Sequence, residues 1–255
     1  MLVFMIVFAL LYKASFPRKT KPFPDRTKPL PKEIKSISGS FDIHVTVHPS
    51  QLYRFKLFCA EHKIEPTYVL SLDGNDPLIN HQQLMTSEHT LVMSAEQAVQ
   101  KALDLSLELR RCRIDVLRVK VEARAESQGV AEFLKTSLFQ QNPEEYYFEF
   151  HWKLENTDET LTGAKRLHDI CKRYSLSCAT NLFGKHIKSL YHPFVAYRLR
   201  TSSIQNALQA CDNLISTLKT KEKLNVLTHN VHKEFVVFDT NPEFDRGFVP
   251  SPVVL

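Results

Sequence analysis

Apolar and polar residues alternate from Phe41 to Val47 (Phe-Asp-Ile-His-Val-Thr-Val), the two-residue period of a strand with one buried face. Pro49-Ser50 stops it, and Leu52, Phe55, Phe58 and Cys59 then recur at helical spacing within 51–63. A second strand is expected over 66–72, closed by Asp73-Gly74, and a third near 86–93. Ser94 and Gln97 form a capping box, and the helix they open carries Val99, Ala102, Leu103 and Leu109 on one side as far as Arg111. A strand over 114–122 closes the set. Residues 123–143 read as a linker holding one short helix around 129–139.

The order then recurs. A strand is expected over 147–154, a helix from Asp158 with Leu161, Ala164, Leu167 and Cys171, and strands over 176–182 and 192–200. Ser202 or Ser203 caps a helix bearing Ile204, Leu208, Cys211, Ile215 and Leu218, and a bent strand over 224–238 ends the series. Matching landmarks keep similar spacing: His44 to His151 is 107 residues, Gly74 to Gly184 is 110 and Glu122 to Glu234 is 112. Agreement of order and spacing is what a duplication produces. The expected class is α+β: a tandem duplication of a ferredoxin-like β-α-β-β-α-β unit over 41–126 and 146–240, with antiparallel sheets and both helices on one face. Around these lie an apolar segment at 1–16, a basic proline-rich linker at 17–40, a linker at 127–145 and a tail at 241–255.

Alternation also assigns the faces. Phe41, Ile43, Val45 and Val47 turn to the helices, and Asp42, His44, Thr46 and His48 turn away. Leu117, Val119 and Val121 oppose Arg118, Lys120 and Glu122 in the same way. The unit's usual strand order, 4-1-3-2, makes these two strands neighbours, so His44, Thr46, Lys120 and Glu122 share one polar patch. In the second half Glu149, His151 and Lys153 face out, with His232 and Glu234 from the closing strand. Thr86, His89, His192 and Arg198 are further candidates. The expectation is a cleft between the halves lined by a His and a Glu from each. Histidine can move a proton near neutral pH, and Lys and Arg can hold a phosphate or carboxylate. A polar face that only meets water, or that forms ion pairs between lobes, is the competing reading.

Composition narrows the classes. The chain of 255 residues is 43% hydrophobic, enough for a core. Its net charge of +5 comes from the leader: residues 13–40 hold eight Lys and Arg against Asp25 and Glu33, a surplus of six, so the remainder is at −1. Basic charge therefore does not support a nucleic-acid partner for the folded body. Cys59, Cys112, Cys171, Cys178 and Cys211 form no Cys-x-x-Cys pair, which fits reduced thiols in an intracellular protein and no zinc cluster. No cofactor loop is present: six glycines contain neither a phosphate loop nor a dinucleotide fingerprint. The apolar run 1–12 precedes the basic charge and is shorter than the roughly 20 residues of a spanning helix. It reads as a marginal anchor giving weak membrane association with the body cytoplasmic, as a cleaved leader, or as an extension without structural role. Five prolines over 17–31 make an extended tether.

At His44-Val-Thr46 the chain resembles the H-x-T/S motif of the 2H phosphoesterases. That resemblance implies two lobes facing a cleft, His44 and His151 as acid and base on a phosphodiester, and Thr46 holding phosphate oxygens. The second copy reads His151-Trp-Lys153, with Lys where the family has Thr or Ser. Glu149-x-His151-x-Lys153 also looks a little like the E-x-E-x-K signature of triphosphate tunnel enzymes, with His at the middle Glu. The implied partner is a phosphorylated small molecule, bound by Thr46, Lys120, Glu122, Lys153 and Glu234 around the two histidines. A non-enzymatic tandem module binding a ligand or protein through the same face is the alternative.

Overall fold

The computed structural model describes residues 30–72, 80–142, 145–155, 161–181, 183 and 193–245. The apolar segment 1–16, most of the proline-rich linker, His192 and residues 246–255 lie outside them. No helix among the described residues is long and apolar enough to cross a membrane.

Eight strands and four longer helices carry the architecture. They are β1 (Phe41–Val47), α1 (Leu52–His62), β2 (Pro66–Leu72), β3 (Asn80–Thr86), α2 (Ala95–Arg111), β4 (Val116–Arg124), β5 (Phe148–Glu155), α3 (Leu161–Arg173), β6 (Leu176–Asn181), β7 (Phe194–Leu199), α4 (Ile204–Thr220) and β8 (His232–Asp239). The third strand thus lies before the 86–93 window expected for it. Only the two-residue strands Glu88–His89 and Met93–Ser94 form in the later part of that window. The bent strand expected over 224–238 is two pieces, Asn225–Val226 and β8.

Two open sheets do not form. The strands run β7-β6-β2-β3-β1-β4-β8-β5, and β5 pairs back onto β7, so all eight close one antiparallel barrel. Two seams join the halves. Along one, β2 pairs β6 (Leu70 opposite Thr180); along the other, β4 pairs β8 (Glu234 opposite Arg124). An open ferredoxin-like sheet would leave these four strands as unpaired edges; joining them satisfies their backbone groups and removes the edges. The reading of a duplicated ferredoxin-like unit with a solvent-facing side gives way to a single barrel, and the face assigned to solvent becomes its interior.

Its outer wall is the hydrophobic core. Phe41, Ile43, Val45, Val119, Val121, Phe148, Phe150, Trp152 and Phe235 are all buried in one cluster that spans both halves. The helices lie over this wall. Ser94 accepts from the Gln97 amide while Gln97 Oε1 accepts from the Ser94 amide at 2.9 Å, so the capping box forms and α2 starts where its chemistry dictates. Ala95, Ala98 and Ala102 on its buried stripe let it approach β1 and β4 closely. Ser203 caps α4 by accepting from the Asn206 amide.

The segment between the halves, expected to hold one short helix around 129–139, holds two and is packed. Helices Val130–Phe133 and Ser137–Gln141 bury Val130, Phe133 and Phe139. The Phe133 ring meets Tyr146 edge-on at 4.9 Å and Phe235 at 5.8 Å. Gly129, at φ +90°, starts this turn; a Cβ there would stand 2.8 Å from the Ser36 carbonyl oxygen.

Phe133→Ala is expected to destabilise the fold by about 3–5 kcal/mol, as for other buried aromatics. Urea denaturation checks this. A change near zero would return the segment to a solvated linker.

Candidate functional site

The barrel interior holds charge because alternation along each strand sends apolar side chains out to the helices and polar ones in. Registers bring the inward residues together: His44 lies opposite Lys120, Thr46 opposite Arg118, Asp42 opposite Glu122, Glu234 opposite Glu149, His232 opposite His151, and Arg198 opposite Glu149. Arg118, Lys120, Glu122, Glu149, Arg198 and Glu234 are all buried.

One end of the interior is closed. Arg118 Nε donates to Asp239 Oδ1 at 2.9 Å, and its Nη2 also pairs with the same carboxylate and meets Tyr147 Oη at 3.4 Å. Asp239 reaches this place through a bulge between Val236 and Phe238, which shifts the register so that it lies opposite Lys120. Towards the other end exposure rises. The His44 and His151 side chains are 19% and 25% exposed and that of His232 is 53% exposed, and Lys153 is exposed beside them.

A chain of charge crosses the middle. Lys120 Nζ lies 2.7 Å from both Glu122 Oε1 and Glu149 Oε2. Arg198 forks onto Glu149 at 2.9 and 3.0 Å and donates to Ser177 Oγ at 3.2 Å. Each glutamate then carries a histidine: His44 Nε2 is 3.1 Å from Glu122 Oε2, and His151 Nε2 is 2.9 Å from Glu149 Oε1. Burial acts to raise the Glu149 carboxyl, but Arg198, Lys120 and His151 outweigh it and hold it well below its usual range. Glu122 is likewise held low: burial is outweighed by Lys120, with His44 adding to it. Burial acts to lower the His151 pKa, and Glu149 more than offsets this, with Glu234 adding to the rise.

The two histidines differ. His44 Nδ1 also lies 3.3 Å from the Thr86 carbonyl oxygen, so both its ring nitrogens face protein acceptors. His151 has its Nε2 on Glu149, with Glu234 Oε2 at 3.6 Å. Among the described residues no partner is recorded for its Nδ1.

Nearer the mouth the balance reverses. Burial pushes Glu234 well above the usual carboxylate range, and nearby Glu122 adds to this. Asp42 beside it is held low: burial is outweighed by the Glu234 carboxyl and by His89, whose Nδ1 lies 2.8 Å from Asp42 Oδ1. His232 Nδ1 is 3.7 Å from Glu234 Oε1. Burial, with Arg124 next, lowers the His232 pKa. Among the described residues, two groups have donor atoms close enough to share an ion: Asp42, His232 and Glu234, and Glu122, Glu149 and His151.

The site residues expected from the sequence are thus gathered inside one barrel. His44, Lys120, Glu122, His151 and Glu234 form the connected network, and Lys153 stands at the mouth. Thr46 is placed differently from the phosphate-holding role: it is 2% exposed and opposite Arg118 at the closed end. Glu149 and Arg198 are more central than alternation alone suggested, because only barrel closure sets them against Lys120. Asp239 lies just beyond the bent strand expected over 224–238, and no sequence signal announces the bulge that turns it inward. No family model matches the chain, and no match is found among curated proteins or solved structures.

Glu234 gives a signed pH prediction. Its folded pKa is raised, so the native state holds the proton more tightly than the unfolded chain; that stability is complete below pH 4.5 and is lost as pH rises through the folded value. Glu234→Gln removes the loss. Urea denaturation across pH 4–8 is expected to show the variant gaining on the wild type as pH rises; a constant difference would contradict the assignment.

Proposed function

We propose that the barrel is a one-ended pocket for a small phosphorylated ligand and that it cleaves a phosphoester bond there. The observation that carries this reading is the linked pair of histidines, each seated on a buried glutamate and joined through Lys120. A carboxylate on one ring nitrogen fixes the tautomer and orients the other nitrogen, the arrangement used in general acid–base catalysis. His151 is the proton-transfer group of the pair: Glu149 strengthens its hold on a proton against the effect of burial, and that proton can pass to a leaving oxygen. His44, engaged at both nitrogens, contributes position. Lys153, exposed at the mouth, supplies a cation for phosphate oxygens, with the half-buried Arg124 two strands away. The near-neutral body favours a small anion over a nucleic-acid backbone.

A non-enzymatic module binding through the same mouth is supported by one observation. Lys120 and Arg198, the deepest basic groups beside the histidines, are already ion-paired with glutamates.

A panel of phosphodiesters, including 2′,3′-cyclic nucleotides, separates the two. Catalysis predicts wild-type turnover that His151→Ala lowers about 10²–10⁴-fold. Lys153→Ala should raise KM with less effect on kcat. Binding without turnover, weakened by Lys153→Ala, favours the second reading, and no binding of any phosphoester removes both.

A further inference from the structure

The two groups of possible metal ligands are not equivalent. In the deeper one, Glu122 and Glu149 already have cations in place, with Lys120 at 2.7 Å from each and Arg198 forked onto Glu149. An ion there would have to displace a lysine and an arginine. At the mouth, the ion-pair partners of Asp42 and Glu234 are histidines: His89 on Asp42, and His151 and His232 on Glu234. Arg124, across the strand from Glu234, acts on this corner from longer range.

We propose that Asp42, His232 and Glu234 form a binding site for a divalent transition metal of the zinc type, with His89 orienting Asp42 from outside. One donor atom from each of the three lies within 4.8 Å of the others. Ligands about 2.0–2.2 Å from a shared ion stand somewhat closer than that, so the donors, the half-exposed His232 ring among them, would draw inward on binding. The Asp42 and Glu234 carboxylates stand together where Glu234 is 4% exposed, and a shared cation would offset the repulsion between them. Mixed imidazole and carboxylate donors suit zinc, manganese or iron rather than magnesium or calcium, which take oxygen alone. His89, 2.8 Å from Asp42, is placed as an outer partner that fixes a ligating carboxylate. Three protein ligands leave a coordination position for water or an anion.

The inference does not rest on the phosphoester reading, and its test uses the metal alone. Calorimetric titration of the full chain with zinc chloride is expected to show one ion per chain. His232→Ala and Asp42→Asn should each weaken binding at least about tenfold, and His89→Ala by roughly 10–100-fold. His62→Ala, a histidine paired elsewhere with Glu108, should bind as the wild type does. Zinc should also raise the wild-type Tm and leave that of His232→Ala unmoved. Because His232 is half exposed, its variant carries the test even where Asp42→Asn fails to fold. A wild type that takes up no zinc, or a His232→Ala protein that binds as tightly, overturns the proposal.

Discussion

Lys120, held 2.7 Å from two buried glutamates, is the constraint around which the barrel is arranged. An ionised side chain inside a protein is tolerated only when paired, and Glu149 is paired three times over, by Lys120, Arg198 and His151. These contacts come from β4, β5 and β7, so the network can be complete only in the closed ring. It does not supply most of the folding energy, since desolvation offsets much of what buried ion pairs gain. The apolar outer wall beneath the helices does that. What the charges supply is register. Sliding one strand by a single residue would drive glutamate and lysine under the helices and turn valine and phenylalanine inward.

Much of this was legible in the sequence, and the reason for the remainder is physical. Phe41–Val47 announces its strand and both its faces, and Ser94 with Gln97 places the start of α2 within a residue. The neighbourhood of His44 and Lys120 followed from the expected order of strands. Closure was not legible, because alternation looks the same whether the polar face meets water or a barrel interior. The information that β2 meets β6 and β4 meets β8 resides in edge geometry, which no short pattern encodes. The same gap hid the centrality of Glu149 and Arg198. Phe133 and Phe139 sat in a stretch rich in polar residues, so their burial against Tyr146 and Phe235 was masked by their surroundings.

The interior is graded along its axis. At one end Arg118, Tyr147 and Asp239 are fully engaged with one another. In the middle each histidine rests on a glutamate held ionised by neighbouring cations. At the mouth burial pushes the Glu234 carboxyl up beside Asp42, which is held low, with two half-exposed histidines next to the pair. Groups of one chemical type are therefore shifted in opposite directions side by side, a condition that acid–base and metal chemistry both exploit.

The bulge in β8 has a consequence for what can enter. By turning Asp239 onto Arg118 it fills that end of the interior with an ion pair, which a channel through the barrel would have to break. In the proposed reaction a ligand would approach His151 from the other end, where the histidines are part-exposed. Product would leave by the way the next ligand arrives, so departure and arrival would compete.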